Sequence, residues 1–249
     1  MGVLPRQNEL FSILDSVEST NNYATGQAHA GLARHGQAWF AREQLSGRGQ
    51  RGKTWNSAPG ENIIMSLAIR PDTVFKAVPF LLSIFTANVC REFFAAHAGE
   101  DVTVKWPNDI YSRDRKTGGI LIENIYKGTE WSWAIIGIGI NINQTVFDPA
   151  LTHATSLAQI TGKKYDVVLL AKQLHGMLTD KTTLLKAENI SAQLDLYNAH
   201  LYQKDQTVKL KKGNAVFETE IIGVNRYGQL LTKDVMERVF EVGEVTRVL

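Results

Sequence analysis

Between Gly47 and Thr54 the chain reads Gly-Arg-Gly-Gln-Arg-Gly-Lys-Thr, a stretch that satisfies two nucleotide-binding patterns and fits the fold of neither. Gly47 through Thr54 match GxxxxGK[ST], and Gly47, Gly49 and Gly52 match GxGxxG. Both motifs work by setting a glycine turn at a helix N-terminus, whose free N–H groups and dipole hold phosphate. Here the chain continues Trp55-Asn56-Ser57-Ala58-Pro59-Gly60-Glu61-Asn62 and then enters the strand-like run Ile63 to Ile69. No helix opens after the glycines, which excludes a P-loop and a dinucleotide-binding βαβ unit. What is left is a loop whose glycines permit close backbone approach and whose Arg48, Arg51 and Lys53 can meet anions. That suits a cover for a phosphate or an adenylate. Taken alone, such a stretch is more often a solvated basic loop, so the choice rests on the remaining sequence.

The rest reads as alternating strand-like and helix-like segments, the pattern of a mixed α/β construction. Ser19, Thr20 and Asn21 can each cap a helix predicted from Asn22 to Ala30, and Gln37 to Arg42 reads as a strand running into the loop. Apolar residues at helical spacing predict a buried helix from Pro79 to His97. Val102 to Trp106, Gly119 to Tyr126 and Trp131 to Ile140 read as strands, the last two as a hairpin in a central sheet. Asp166 to Leu185 and Ile190 to Tyr202 are helical in pattern, with Asp166 as N-cap of the first. From Asp205 onward the texture changes to short strands, Thr207 to Leu210, Ala215 to Val224, Gln229 to Thr232 and Arg238 to Val242, broken by Gly213, Gly223, Gly228 and Gly243. The predicted division is 1–204 for a main domain and 205–249 for a small all-β module, too short to be stable alone and so expected to lean on the main domain.

The 249 residues carry a net charge of +2, far from the balance of a protein that coats nucleic acid, yet Arg42, Arg48, Arg51 and Lys53 concentrate positive charge locally. A local anion site is expected. One cysteine, Cys90, precludes an intramolecular disulfide and any CxxC motif. Residues 1–7 show no apolar signal core, and the apolar stretch Phe80 to Val89 is too short and too polar to span a bilayer. A cytoplasmic protein without membrane partners is expected.

Lys105-Trp106-Pro107-Asn108-Asp109 sets a lysine at the end of an apolar strand, before a proline-forced turn, where a sheet presents functional groups. Such a lysine can hold a carboxylate or a phosphoryl oxygen, or it can snorkel beside a packing tryptophan. Gly118-Gly119 and Gly137-Ile138-Gly139 place glycines inside strong strand patterns, where a flat ligand over the sheet or close packing of another element would need the space. The six histidines are scattered without zinc-site spacing, and Cys90 lies mid-helix among apolar residues, as core rather than nucleophile.

Together, Ser19-Thr20-Asn21, Glu43-Gln44, Gly47-Arg48-Gly49 through Trp55, Lys105-Trp106-Pro107-Asn108-Asp109, Gly118 through Glu123 and Gly137 through Asn141 resemble the biotin–protein ligase family in order and spacing. The resemblance implies an α+β fold: a class II aminoacyl-tRNA synthetase-like mixed sheet with packed helices, then an SH3-like β-barrel. It implies a ligase that uses ATP and Mg²⁺ to convert biotin to biotinyl-5'-AMP and passes it to a lysine of a biotin carboxyl carrier domain. Repressor members of the family place a winged helix before the Ser-Thr-Asn block, which here begins at residue 19, so no DNA binding is expected. Monomer and homodimer both remain open.

By the same resemblance, Lys105 and Arg48 are the catalytic candidates. Ser19, Thr20, Asn21, Gln44, Gly47, Arg48, Gly49, Gln50, Lys105, Gly119, Gly137 and Gly139 would surround biotin, the glycines giving the sheet floor its clearance. Arg48, Arg51, Lys53, Trp55, Asn108 and Asn141 would meet the nucleotide, and the glycine loop would be mobile until the adenylate orders it. Family members often carry arginine where this chain has Gln50, a departure that implies looser retention of the adenylate. No metal ligand is assigned, Asp109 and Glu123 being the nearest acidic residues, and Thr145 to Ala154 stands where the family has a second adenylate-covering loop. A lipoate ligase or octanoyl transferase of the same fold is the rival enzyme, the transferase requiring a reactive cysteine.

Overall fold

The computed structural model describes residues 10–248, so the reading of residues 1–7 as free of a signal core lies outside the described range. Seven strands form the main sheet: β1 (Phe11–Val17), β2 (Gln37–Gln44), β3 (Asn62–Ile69), β4 (Val102–Lys105), β5 (Asp109–Ser112), β6 (Arg115–Lys127) and β7 (Glu130–Asn141). Their order is β1-β2-β3-β7-β6-β5-β4, with β1 parallel to β2 and the other pairs antiparallel. The expected β6–β7 hairpin is present, with Gly119 opposite Gly139 and Leu121 opposite Gly137.

Alternation along β2 explains the layers. Ala38 and Phe40 point into the main core and Trp39 into a second, smaller one, as the period of two requires. Helices α3 (Leu81–Ala98) and α5 (Val167–Leu184) cover the first face. On the other, α1 (Thr20–His29) lies over β2, β3 and β7. Because both faces are covered, β3 is buried along its whole length, which is why its sequence is a nearly continuous apolar run. Ser19 caps α1 and Asp166 caps α5, the latter by accepting from Leu169 N at 3.0 Å. Short helices α2 (Thr73–Ala77) and α4 (Leu157–Thr161), together with α6 (Ile190–Ala199), complete the layer.

A second sheet follows: β8 (Thr207–Lys212), β9 (Ala215–Val224), β10 (Leu230–Lys233), β11 (Glu237–Phe240) and β12 (Thr246–Val248), antiparallel in the order β11-β10-β9-β8-β12. The barrel implied by the resemblance is not closed: β12, three residues long, pairs only with β8, and β11 only with β10. The sheet does lean on the first. Val208, Leu210, Ile221, Val224, Leu230 and Phe240 belong to the same apolar core as the main sheet and α3. Trp106 Nε1 donates to Gly228 O at 2.8 Å, and the Asn198 amide pairs with both backbone groups of Val224 at 2.7 and 2.9 Å. No helix among the described residues is long and apolar enough to cross a membrane.

Two histidines stitch the start of β2 to its neighbours. His175 Nε2 on α5 stands 2.8 Å from Gly36 O, and His35 Nδ1 accepts from Arg70 N at 3.0 Å. Burial holds both below the ordinary 6.5, reinforced at His35 by the charge of Arg70. The unfolded chain takes up protons near 6.5 while the folded one resists, so keeping both rings neutral costs nothing above that pH and stability falls as pH drops through it. The melting temperature is expected to decline from pH 7.5 to pH 5.5, and the His35→Asn, His175→Gln pair to flatten that decline; an unchanged slope in a calorimetric series would exclude these two as the source.

Candidate functional site

The site is built where the N-terminus of α1 meets the sheet. Ser66, in the middle of β3, is fully buried, and its hydroxyl lies 2.7 Å from Thr20 Oγ1 and 2.6 Å from Asn21 Oδ1. Gln44 Oε1, at the end of β2, accepts from Thr20 N at 2.8 Å and from Thr20 Oγ1 at 3.1 Å. Asn21 Nδ2 donates to Glu123 Oε2 at 2.8 Å, and Glu123 Oε1 accepts from Arg48 Nη2, also at 2.8 Å. Arg48 Nη1 closes the chain on Asn22 Oδ1 at 2.6 Å. Ser19, Thr20, Asn21, Gln44 and Arg48 thus form one polar wall, as their grouping in the sequence anticipates.

The glycine loop folds back on itself. Gly49 N donates to Lys53 O at 2.7 Å and Trp55 N to Gly47 O at 2.9 Å, around a 3-10 turn at Gln50–Gly52 in place of any helix. Gly47 is required there, since a Cβ would run into Trp55 O and the Gln44 amide. Arg51 takes φ +57°, a left-handed conformation that costs an L-residue about 1–2 kcal/mol. The half-exposed Arg48–Glu123 pair ties the loop to β6.

The floor glycines border the cavity, and side chains of the chain itself lie over two of them. The space over Gly137 is filled by the Asn21 side chain and that over Gly139 by the Trp55 indole, which also reaches Gly119. At Gly137 and Gly139 no Cβ fits beneath these two side chains. Trp55 Nε1 is buried there without an acceptor among the described residues. Asn108 and Asn141 face the same cavity, but their amides already donate to Ile120 O at 2.7 Å and Thr155 O at 2.9 Å.

Lys105 ends β4 inside this cavity. Its Nζ donates to Tyr111 OH at 3.1 Å and lies 4.8 Å from the centre of the Tyr111 ring and 5.8 Å from that of Tyr202. Burial holds its ammonium below the ordinary lysine value; Asp109 opposes this, while Arg247, Lys116 and Lys53 add to it. Trp106–Pro107 is a cis peptide. Sequence reading missed Lys116, which sits 2.7 Å from Asp109 Oδ1 and 5.7 Å from the Trp55 ring, and Arg247; neither belongs to a motif, and only the tertiary fold brings them here.

The cavity these groups share measures about 620 Å³, the size of a cofactor or nucleotide site. Its wall includes Gln50, Arg51, Lys53 and, from the segment 145–154, Phe147 and Ala150 through Ala154. That segment is joined to β6 where Lys116 N donates to His153 O and Thr155 N to Lys116 O. The acidic candidates for a metal are both engaged, Asp109 by Lys116 and Glu123 by Arg48 and Asn21, and among the described residues no three His, Cys, Asp or Glu side chains converge. A resident metal ion does not fit this donor set. Cys90 is wholly buried in α3 with its thiol pushed far up by burial, which bars it from acting as a nucleophile.

Residues 13–141 match the model of the biotin/lipoate A/B protein ligase family. A bifunctional ligase/repressor, BirA, of Salmonella typhimurium is 32% identical over 216 residues, 86% of this chain and 65% of that protein, so the chain spans about two thirds of that relative's length. In fold it is similar to the biotin protein ligase of Aquifex aeolicus in complex with biotin and ATP, at a TM-score of 0.81, 23% identity and coverage of 96% and 98% of the two chains. It is also similar to the Leishmania major biotin protein ligase in complex with biotinyl-5-AMP, at a TM-score of 0.61, 26% identity and coverage of 96% and 98%.

Because the Trp55 indole covers Gly139, Gly139→Ala is expected to lift it from the sheet and to cost about 1–3 kcal/mol through overpacking. Acrylamide quenching, compared with a Trp55→Phe background to isolate this indole from the other four, should show Trp55 newly exposed; an indole equally protected in the variant would contradict the packing described.

Proposed function

The chain belongs to the biotin/lipoate A/B protein ligase family, and on that premise we propose that it activates biotin with ATP to biotinyl-5'-AMP and transfers it to a lysine of a biotin carboxyl carrier domain. One observation carries this reading: a single cavity joins a polar wall at the start of α1 to a half-buried lysine under an arginine-bearing loop. Ser19, Thr20, Asn21 and Gln44 offer amide and hydroxyl groups suited to a ureido ring. A lipoyl ring has no groups to satisfy them, which weighs against the lipoate-ligase alternative.

In the first step a biotin carboxylate oxygen attacks the α-phosphorus of ATP, and the bond to the bridging oxygen breaks, releasing pyrophosphate. Lys105 neutralises the carboxylate on approach and the charge that builds on the α-phosphate. Arg48 exchanges Glu123 for the adenylate. An exposed ion pair of this kind is worth only about 0–1 kcal/mol, so a bound anion can draw the arginine away. Gly47, Gly49 and Gln50 then close over biotin, with Arg51, Lys53 and Trp55 toward the nucleotide. Gly119, Gly137 and Gly139 let Trp55 and Asn21 lie flat on the sheet and so set the depth of the pocket. Asn141 and Asn108 hold the nucleotide side in shape through their backbone contacts.

In the second step the acceptor lysine's neutral amine attacks the mixed anhydride and AMP leaves. Enzyme groups mainly position the partners and exclude water. Mg²⁺ enters as part of the nucleotide substrate. Residues 1–204 carry the chemistry and 205–249 the accessory module. The protein acts in the cytoplasm, where ATP and carboxylases are at hand, as a monomer or homodimer and without a DNA partner.

Transfer of labelled biotin to a carrier domain tests the reading. Lys105→Ala is expected to lower the activation rate about 100-fold or more, as loss of a charge-stabilising donor does, and Arg48→Ala to reduce it as well. Calorimetric titration with biotin and with lipoate separates the two ligases; tight lipoate binding with none for biotin would overturn the biotin assignment.

A further inference from the structure

We infer that Gln144 is a positioning residue that joins two loop segments over the cavity, so that seating biotin under one of them prepares the other for the nucleotide. The inference rests on the ligase reading above and adds to it the side chain through which one substrate readies the site for the other. The glycine loop with its continuation, 47–56, and the segment 145–154 both wall the cavity. They are distant in sequence and belong to no common helix or strand. Their bases nevertheless meet at a single carboxamide. Gln144, just beyond the end of β7, accepts at Oε1 from Ala58 N at 3.1 Å and from Asn62 Nδ2 at 2.6 Å, and its Nε2 donates to Val146 O at 2.8 Å. Asn62 Nδ2 also donates to Ser57 Oγ at 2.8 Å, which draws in the end of the glycine-loop segment.

The chemistry of the link calls for an amide. A carboxylate in this place could only accept and an ammonium only donate, whereas the carboxamide does both at once. A backbone N–H on one side and a carbonyl on the other fix which way it points. The frame behind it is rigid. Asn62 is buried and its Oδ1 accepts from Ile142 N at 2.9 Å, Asn143 N donates to Glu61 O at 2.8 Å, and the Asn143 side chain exchanges two hydrogen bonds with the backbone of Tyr165 at 2.9 and 3.0 Å.

The segment 145–154 is pinned at both ends and open between them. Gln159 Nε2 donates to Thr145 O at 2.7 Å, while Arg115 Nη2 donates to Ala154 O at 2.8 Å and to Gln159 Oε1 at 3.1 Å. In the middle the hydrogen bonds are local, from Ala150 N to Asp148 Oδ1 and from Leu151 N to Asp148 O, and Val146 and Leu151 are exposed. A shift of Ser57 and Ala58 as the glycine loop settles on biotin therefore reaches Val146, at the root of this segment, through the Gln144 amide. Ordering the first segment removes part of the entropy cost of ordering the second, and by linkage the nucleotide does the same for biotin.

The test is calorimetric titration of the full chain with α,β-methylene-ATP, which cannot be cleaved at the bond that adenylation breaks, with and without saturating biotin. Amide hydrogen exchange of 56–61 and 145–152 is followed in parallel. In the native chain biotin is expected to tighten the analogue by about fivefold or more and to slow exchange in 145–152. Gln144→Met keeps a stem of similar length and removes the three hydrogen bonds of the amide. It should still bind each ligand alone, with the tightening reduced toward one and 145–152 no longer protected by biotin. Gln144→Glu keeps the acceptor for Ala58 and loses the donor to Val146, so it should speed exchange in 145–152 and leave 56–61 as in the native chain, an asymmetry that general destabilisation does not produce. Equal tightening in the native chain and Gln144→Met, or none in the native chain, overturns the inference. A native chain that binds the analogue but no biotin defeats the ligase reading instead. The link is then judged on exchange without ligands: faster exchange of both segments in Gln144→Met supports it, and unchanged exchange overturns it.

Discussion

The buried hydroxyl of Ser66 holds the site in register. A polar group at the centre of an apolar strand must be satisfied or it destabilises the fold. Its partners, Thr20 and Asn21, are the first residues of a helix more than forty positions earlier, and they arrive at hydrogen-bond distance only if α1 lies flat on the sheet. Asn21 in turn needs a bare backbone at Gly137 and hands a hydrogen bond to Glu123, which receives Arg48. Segments from four regions of the chain are therefore positioned by one small polar network, and its closure at Arg48 brings the glycine loop over the cavity.

The sheet is used asymmetrically, and the cavity follows from that. One face is sealed by α3 and α5 in a core that runs on into the C-terminal sheet. The other carries only α1 and a small cluster around Trp39, Ala68, Trp133 and Ile135. Ten residues of helix cannot cover the remainder of a seven-stranded sheet, so the rest must be closed by loops. Loops bring glycine, arginine and backbone amides, which can move and can bind, where a helix would bring packing.

Elements defined by their own periodicity were readable from sequence: α3, α5 with its Asp166 cap, and the β6–β7 hairpin all have strong local patterns. β1 was not. Phe-Ser-Ile-Leu-Asp-Ser-Val has no clean alternation because the strand is a half-buried edge, held by parallel hydrogen bonds to β2 that leave no trace in its composition. β5 leaves as little trace, since four residues between two turns carry too little signal. The site divides in the same way. Lys105 and the Ser-Thr-Asn block announce themselves by context, whereas Lys116 and Arg247 carry no such mark, the fold alone setting the first beside Trp55 and the second near Lys105.

The C-terminal sheet is more than an appendage, because it holds the turn that carries Lys105 from behind. Trp106 Nε1 donates to Gly228 O, fixing the residue next to the lysine against the β9–β10 turn. Gly228, with φ +87°, also lies so close to the Phe80 ring that no side chain fits between them, so the same turn is clamped to the start of α3. A lysine needed at a reacting phosphorus must be held to a fraction of an ångström, and a flexible four-carbon stem does not do this unaided. Rigidity comes instead from Tyr111 and Tyr202 around its head and from Trp106 anchored beneath it. The small sheet thus buttresses the site, because its hydrogen bonds to the main domain gather at the Lys105 turn and at Asn198 of α6.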